Sequence, residues 1–117
     1  MQINFPKWVG PQPELNRVME LELTNVEPWF FYSEQKDFDT RVQGLKTRFP
    51  NLELIPFARR EDCDDIVCWE KSHGPQKVFL IHDFSSWGWD KRKQYEDFWE
   101  WYRSAINDMI AHEYPYR

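Results

Sequence analysis

The sequence predicts a single α+β domain in which a small antiparallel sheet is covered by a long C-terminal helix and a shorter helix near residues 38–49. Three observations predict this fold class. Short apolar segments separated by brief polar connections occupy the middle of the chain, as in an antiparallel meander. A helical apolar stripe precedes these segments, and a second, aromatic-rich stripe follows them. The 117 residues suit one domain, 1–117, and no linker or internal repeat divides them.

The N-terminal region gives the weakest pattern. Residues 1–13 carry three prolines and Gly10, which predicts no regular structure beyond a turn. Residues 14–24 fit two interpretations, because Leu15 and Val18 have helical spacing whereas Met19–Leu23 alternates as a strand would. We expect a helix start that runs into an irregular segment.

The first strand and the first long helix are predicted by contrasting patterns. The aromatic run Trp29–Tyr32 is short and rich in strand-favouring residues, which indicates a buried strand. Asp37 and Asp39 then offer N-cap oxygens, and Pro50 ends the helix that follows. One stripe of that helix is formed by Phe38, Val42, Leu45 and Phe49.

Three further segments predict the meander. Residues 52–60 form the first, in which Pro56 lacks a backbone donor and should therefore lie on an edge strand or at a bulge. Residues 66–69 and 78–81 form the second and third strands, and polar turns separate all three.

A long amphipathic helix is predicted to close the domain, with Asp90 as its cap. Its apolar face comprises Tyr95, Phe98, Trp99, Tyr102, Ile106, Met109 and Ile110, widened by Trp101 and Ala105. If Phe98 and Trp99 are buried, replacing either with alanine should cost about 3–5 kcal/mol.

Charge and hydropathy limit the classes of function that the chain can have. The chain has 15 basic and 20 acidic residues, a net charge of −5, which argues against nucleic acid as the main ligand and fits a basic protein partner. No apolar run reaches the roughly 18 residues of a membrane span, and the segment after Met1 has no signal-peptide pattern. These patterns predict a cytoplasmic protein with no membrane association.

The cysteine and histidine pattern predicts neither a cofactor nor an enzyme. Cys63 and Cys68 are expected to be free thiols in a reducing compartment, and no Cys/His cluster has zinc-site spacing. His82 lies at a strand end with Cys68 in the neighbouring strand, which is one way to activate a thiol. No glycine-rich elbow or oxyanion signature accompanies the pair, so we expect His82 to be structural.

Four carboxylates crowd the turn before the second meander strand: Glu61, Asp62, Asp64 and Asp65. A calcium loop needs alternating ligands, a turn glycine and a distal glutamate, which are absent here, so we expect no metal. Two interpretations remain, namely a solvated hairpin turn and an acidic contact patch whose mutual repulsion an incoming Arg or Lys would relieve.

Two tryptophans flank a glycine in the loop before the final helix. Trp87 and Trp89 would be candidate interface anchors if they were exposed. The alternative is that both tuck under the final helix.

One stretch of sequence resembles a known family. The segment LIPFARREDCDDIVCW over residues 54–69 is similar to the signature of the SUKH superfamily. The similarity continues through VFLIHD at 78–83, Gly88-Trp89 and FWEW at 98–101, and it is clearest over residues 28–111. The resemblance implies an α+β fold with a helix-covered sheet, and the family has no shared catalytic residues to carry over.

The resemblance also implies a function. Many bacterial members are immunity proteins that bind and neutralise a cognate toxin domain, often a nuclease, in the producer's cytosol, and others are cell-wall assembly regulators. We therefore expect a non-enzymatic protein-binding module whose partner is a basic toxin domain. The alternative is a regulatory or scaffold module without a toxin partner. The candidate contact residues are Glu61, Asp62, Asp64, Asp65, Trp87 and Asp90.

Overall fold

Five antiparallel strands form one sheet within residues 3–84 and 91–112, which are the residues that the computed structural model describes. The strands lie side by side in chain order, so each pairs with the next. Their bounds are β1 Trp29–Phe31, β2 Leu54–Arg60, β3 Asp65–Glu70, β4 Gly74–His82 and β5 Lys91–Tyr95. The predicted meander is confirmed, with β1 added at one edge and β5 at the other.

Three helices complete the fold: α1 Pro13–Glu20, α2 Gln35–Arg48 and α3 Phe98–Ala111. The chain is therefore α+β, as expected. The helix predicted near residues 38–49 begins earlier than expected, and with 14 residues it is as long as α3 rather than shorter. No helix among the described residues combines the length and apolarity needed to cross a bilayer.

Both faces of the sheet are buried, because successive residues of the central strands point to opposite sides and are apolar on both. One face carries Ile55, Phe57, Val67, Trp69 and Val78 and packs against residues of α1 and α3. The other face carries Leu54, Ile66, Cys68, Phe79 and Ile81 and packs against Leu45 of α2. All six residues of β3 are buried, so this strand contributes to both clusters.

The aromatic face of α3 covers the first cluster as predicted, although the most deeply buried ring is a different one. Phe98 and Tyr102 are 2% and 8% exposed, whereas Trp99 is only partly buried. Trp101 is 1% exposed and meets Trp29 and Phe57 edge to face, with ring centroids 5.3 and 5.1 Å apart.

The start of α3 differs from the prediction. Tyr95 lies in β5, where it pairs with Val78, and the helix begins at Phe98. Asp97 is the cap, because its carboxylate accepts a 2.9 Å hydrogen bond from the Glu100 backbone N–H. The prediction that Asp90 caps this helix is wrong, and Asp90 itself lies outside the described residues.

Pro56 lies in an interior strand, because β2 pairs with both β1 and β3. The register between β2 and β3 shifts between Pro56 and Ala58. Of the two predicted positions, an edge or a bulge, the bulge is confirmed. Such an irregularity accommodates a residue that has no N–H to donate.

Candidate functional site

The predicted contact residues begin at the turn between β2 and β3, residues 61–64, which we call the acidic turn. Glu61, Asp62 and Asp64 are all exposed there. The turn is fastened to the body through its backbone, since the Glu61 N–H donates to the Pro28 carbonyl over 2.8 Å. Three carboxylates are therefore presented to solvent on a short segment between two paired strands.

Arg60 compensates part of this charge. Its Nε and Nη2 donate to the two carboxylate oxygens of Asp62 over 2.7 and 3.2 Å. These hydrogen bonds hold the pKa of Asp62 below its ordinary value. Nη1 of the same guanidinium lies 3.4 Å from Oδ2 of Asp108, which also accepts a 2.9 Å hydrogen bond from the Trp29 indole. Asp108 thus extends the negative surface to α3.

Asp65, the fourth predicted carboxylate, lies inside the protein. It is the first residue of β3 and is 6% exposed. Its Oδ1 is 2.8 Å from Nδ1 of His82, directly across the β3–β4 ladder. The structure therefore separates Asp65 from the exposed carboxylates of the acidic turn. Trp87 and Asp90, the remaining predicted contact residues, lie outside the described residues.

The thiol and imidazole that sequence reasoning considered as a pair are not opposite each other. Cys68 pairs with Phe79 across the ladder, and its Sγ lies 3.7 Å from the Phe79 carbonyl oxygen. Three residues along an antiparallel strand span about 10 Å, so Cys68 and His82 are too far apart for proton transfer.

Cys63 is the other thiol, and it lies in the acidic turn. Partial burial raises the pKa of Cys63, and the carboxylates of Asp65 and Asp62 act in the same direction. This thiol therefore stays protonated at neutral pH, which is the opposite of an activated nucleophile. Within the part of the chain that the structure describes, no three metal-binding side chains form a cluster.

A second feature of the surface, not identified from sequence, is a cleft between α2 and the β1–β2 edge of the sheet. We call it the arginine cleft, after Arg41, Arg48 and Arg59, which line it together with Phe30 and Phe84. It is open to solvent and has a volume of about 710 Å³. The chain has a net charge of −5, so three arginines that line one cleft make this part of its surface locally positive.

The buried carboxylate of Asp83 holds Arg41 and Arg48 in place. This carboxylate has no exposed surface and accepts hydrogen bonds from Arg48 Nε and Nη2, both 2.7 Å, and from Arg41 Nη1, 2.9 Å. The Phe84 backbone N–H adds a fourth bond of 2.9 Å. A buried carboxylate is stable only with such compensation, so α2 is tied to the end of β4 at this point.

A signal for this cluster was present in the sequence. Arg41 and Arg48 are seven residues apart, which places both on one face of a helix, and Gly44 lies between them. Helical spacing cannot, however, show that Asp83 lies beneath that face, because the contact arises only when α2 packs on the sheet.

The acidic turn and the arginine cleft are neighbours. The Asp83 N–H donates to the Asp64 carbonyl over 3.0 Å, so the backbone that anchors the cleft also anchors the turn. The described surface thus carries two adjacent regions of opposite charge. Comparison with protein-family models, curated proteins and solved structures finds no match for this chain.

Proposed function

We propose that this chain is a protein-binding module of the SUKH superfamily, and specifically an immunity protein that binds and neutralises a cognate toxin in the cytosol. The observation that carries the proposal is the exposure of Glu61, Asp62 and Asp64 on a turn fixed between two strands. The sequence similarity over residues 28–111 supports the family, and the net charge of −5 supports a basic partner.

The proposed mechanism is occlusion. A nuclease toxin carries a basic surface for nucleic acid, and carboxylates on a rigid turn can take the place of the phosphates. Because the turn is already held by Arg60 and by the Pro28 carbonyl, little conformational freedom is lost on binding. The carboxylates that remain accessible then steer association and fix its register.

Co-expression with the product of an adjacent toxin gene tests the proposal. The parent chain should protect cells from the toxin and should co-purify with it, less so as salt rises. A Glu61→Gln, Asp62→Asn, Asp64→Asn triple variant should lose most of the protection. The matched control is Glu20→Gln, Glu34→Gln, Glu96→Gln, which removes the same charge from exposed positions elsewhere.

Two results would count against the proposal. Equal protection by both triple variants would show that the acidic turn is not the contact surface. A parent chain that never protects against the neighbouring toxin would favour the alternative of a regulatory or scaffold module, for which a partner other than a toxin should co-purify.

A further inference from the structure

The arginine cleft holds more positive charge than its buried carboxylate requires. Asp83 already receives three hydrogen bonds from Arg41 and Arg48. Asp37 is the carboxylate that lines the cleft itself. Together with the buried Asp83, two carboxylates compensate three guanidiniums, and one positive charge remains in excess. A purely structural anchor for Asp83 does not account for the third arginine.

Arg59 is that third arginine, and its donors are available. It is exposed, and no carboxylate among the described residues lies within ion-pair distance of it. Its guanidinium lies over the Phe30 ring, 5.5 Å from the centroid, an arrangement that restricts it while leaving the N–H edges open. Arg41 donates one bond to Asp83 from Nη1, which leaves its other N–H groups for a second acceptor.

Gly44 shows that the cleft has a shape requirement. A Cβ at this position would lie 2.7 Å from Nη2 of Arg48, so a larger residue here would require the end of the Arg48 side chain to shift. Arg48 in turn lies over the Phe84 ring at 4.0 Å. Glycine inside a helix is unfavourable, so its presence here fits a position where close approach of a side chain matters.

Tyr32 supplies a buried hydroxyl to the lining of the cleft. It is 7% exposed, and its hydroxyl has no hydrogen-bond partner among the described residues. The charged groups that act on this phenol, Arg41, Arg59, Asp83 and Asp37, all belong to the cleft or to its anchor. Tyr32 itself lines the cleft together with Arg41 and Arg59, which places its hydroxyl close to the two arginines with free donors.

We propose that the arginine cleft binds an oxyanion, a carboxylate or a phosphate group, between the guanidiniums of Arg59 and Arg41, with the Tyr32 hydroxyl as a further donor. Both anions match the forked geometry of a guanidinium, and charge-assisted bonds of this kind are the strongest available. The hydroxyl is buried in the structure, so its bond to the anion requires the side chains around it to move. This site is separate from the acidic turn and does not depend on the toxin-binding proposal.

Titration of the full-length, ¹⁵N-labelled chain with inorganic phosphate, and in a second arm with glutarate, tests the site. Ionic strength is held constant with sodium chloride, and the arginine Nε–Hε resonances report binding. Saturable shifts are expected at Arg59 and Arg41. Arg59→Gln should weaken binding roughly tenfold or more, since it removes bonds to a charged group. Arg103→Gln, an exposed arginine of α3, is the matched control and should bind as the parent does.

Further variants separate binding from folding and from the proposed function. Arg59→Lys keeps the positive charge but loses the forked N–H groups of the guanidinium. This variant should therefore bind the anion more weakly than the parent while keeping the same urea unfolding midpoint. The acidic-turn triple variant should bind both anions saturably and at least as tightly as the parent, because it removes negative charge next to the cleft. Saturation by phosphate alone identifies a phosphate ligand, and saturation by glutarate identifies a carboxylate. Shifts that rise without saturation, or that are as large at Arg103 as at Arg59, would overturn the proposal, as would an unchanged affinity in both Arg59 variants.

Discussion

The guanidinium of Arg48 and the buried carboxylate of Asp83 form two parallel hydrogen bonds, each 2.7 Å long. This pair joins α2 to the sheet at the end of β4. Arg48→Ala leaves a fully buried carboxylate with Arg41 as its remaining guanidinium partner, so we expect a loss of about 2–3 kcal/mol in the free energy of unfolding. Urea denaturation measures this free energy. Arg103→Ala should change it by less than about 0.5 kcal/mol, and an equally small effect for Arg48→Ala would contradict the argument.

The effect of Gly44→Ala on stability is expected to differ in sign between the parent chain and an Arg48→Ala background. In the parent chain the new Cβ would lie 2.7 Å from Nη2 of Arg48 and would push the guanidinium away from Asp83. The variant should therefore be less stable than the parent despite its better helix propensity. In an Arg48→Ala background that conflict is absent, and the same substitution should stabilise by about 1 kcal/mol. A double-mutant cycle in urea measures the coupling. Stabilisation of equal size in both backgrounds would show that the guanidinium yields without cost.

Tyr32→Phe should stabilise the protein at neutral pH by about 1 kcal/mol, because it removes a buried hydroxyl that has no hydrogen-bond partner within residues 3–84 and 91–112. Burial also raises the pKa of Tyr32. The fold therefore favours the protonated phenol, and the stability that this provides is complete below the unfolded pKa of about 10 and is lost as the pH rises above it. The urea midpoint should fall less between pH 8 and alkaline pH in Tyr32→Phe than in the parent.

Tyr102 is the control for that measurement. Burial raises its pKa as well, but its hydroxyl donates a 2.6 Å hydrogen bond to the Leu23 carbonyl. Tyr102→Phe should therefore destabilise at neutral pH, by about 1 kcal/mol, while also reducing the alkaline loss. If both variants destabilise equally at neutral pH, the Tyr32 hydroxyl has a partner after all.

Trp101→Ala and Trp99→Ala should differ clearly in stability. Trp101 is 1% exposed and makes edge-to-face contacts with two other core rings, so its removal should cost about 3–5 kcal/mol. Trp99 is only partly buried, and its loss should cost about half as much. Thermal or urea unfolding of the two variants decides the order. The reverse order would mean that α3 is rotated relative to the sheet.

Patterns with strong local signals predicted most of the fold. The strands around Ile66 and Leu80 and the stripe of α2 rest on apolar spacing, which burial enforces directly. The start of α3 was mispredicted because Tyr95 is three residues before Phe98 and so continues the helical stripe into β5 by coincidence. The Asp97-Phe98-Trp99-Glu100 sequence does carry a capping signal, which marks the true start.

The site was less predictable than the fold. Clustering of acidic residues at the β2–β3 turn was visible in the sequence, but the inward placement of Asp65 depends on His82, which only strand register brings opposite it. The arginine cleft depends on contacts between α2 and residues 35 or more positions away in sequence. Long-range contacts of this kind leave no periodic trace in a single sequence.

Because β3 is buried on both sides, helices shield its amides on each face of the sheet. Detachment of α2 alone, or of α3 alone, leaves the strand covered by the other layer and still paired with β2 and β4. Hydrogen exchange at Ile66–Trp69 should consequently proceed only through complete unfolding, whereas the helices exchange through partial openings. The central strand is thus the last part of the molecule to lose its structure, and its opening marks the cooperative unfolding of the sheet.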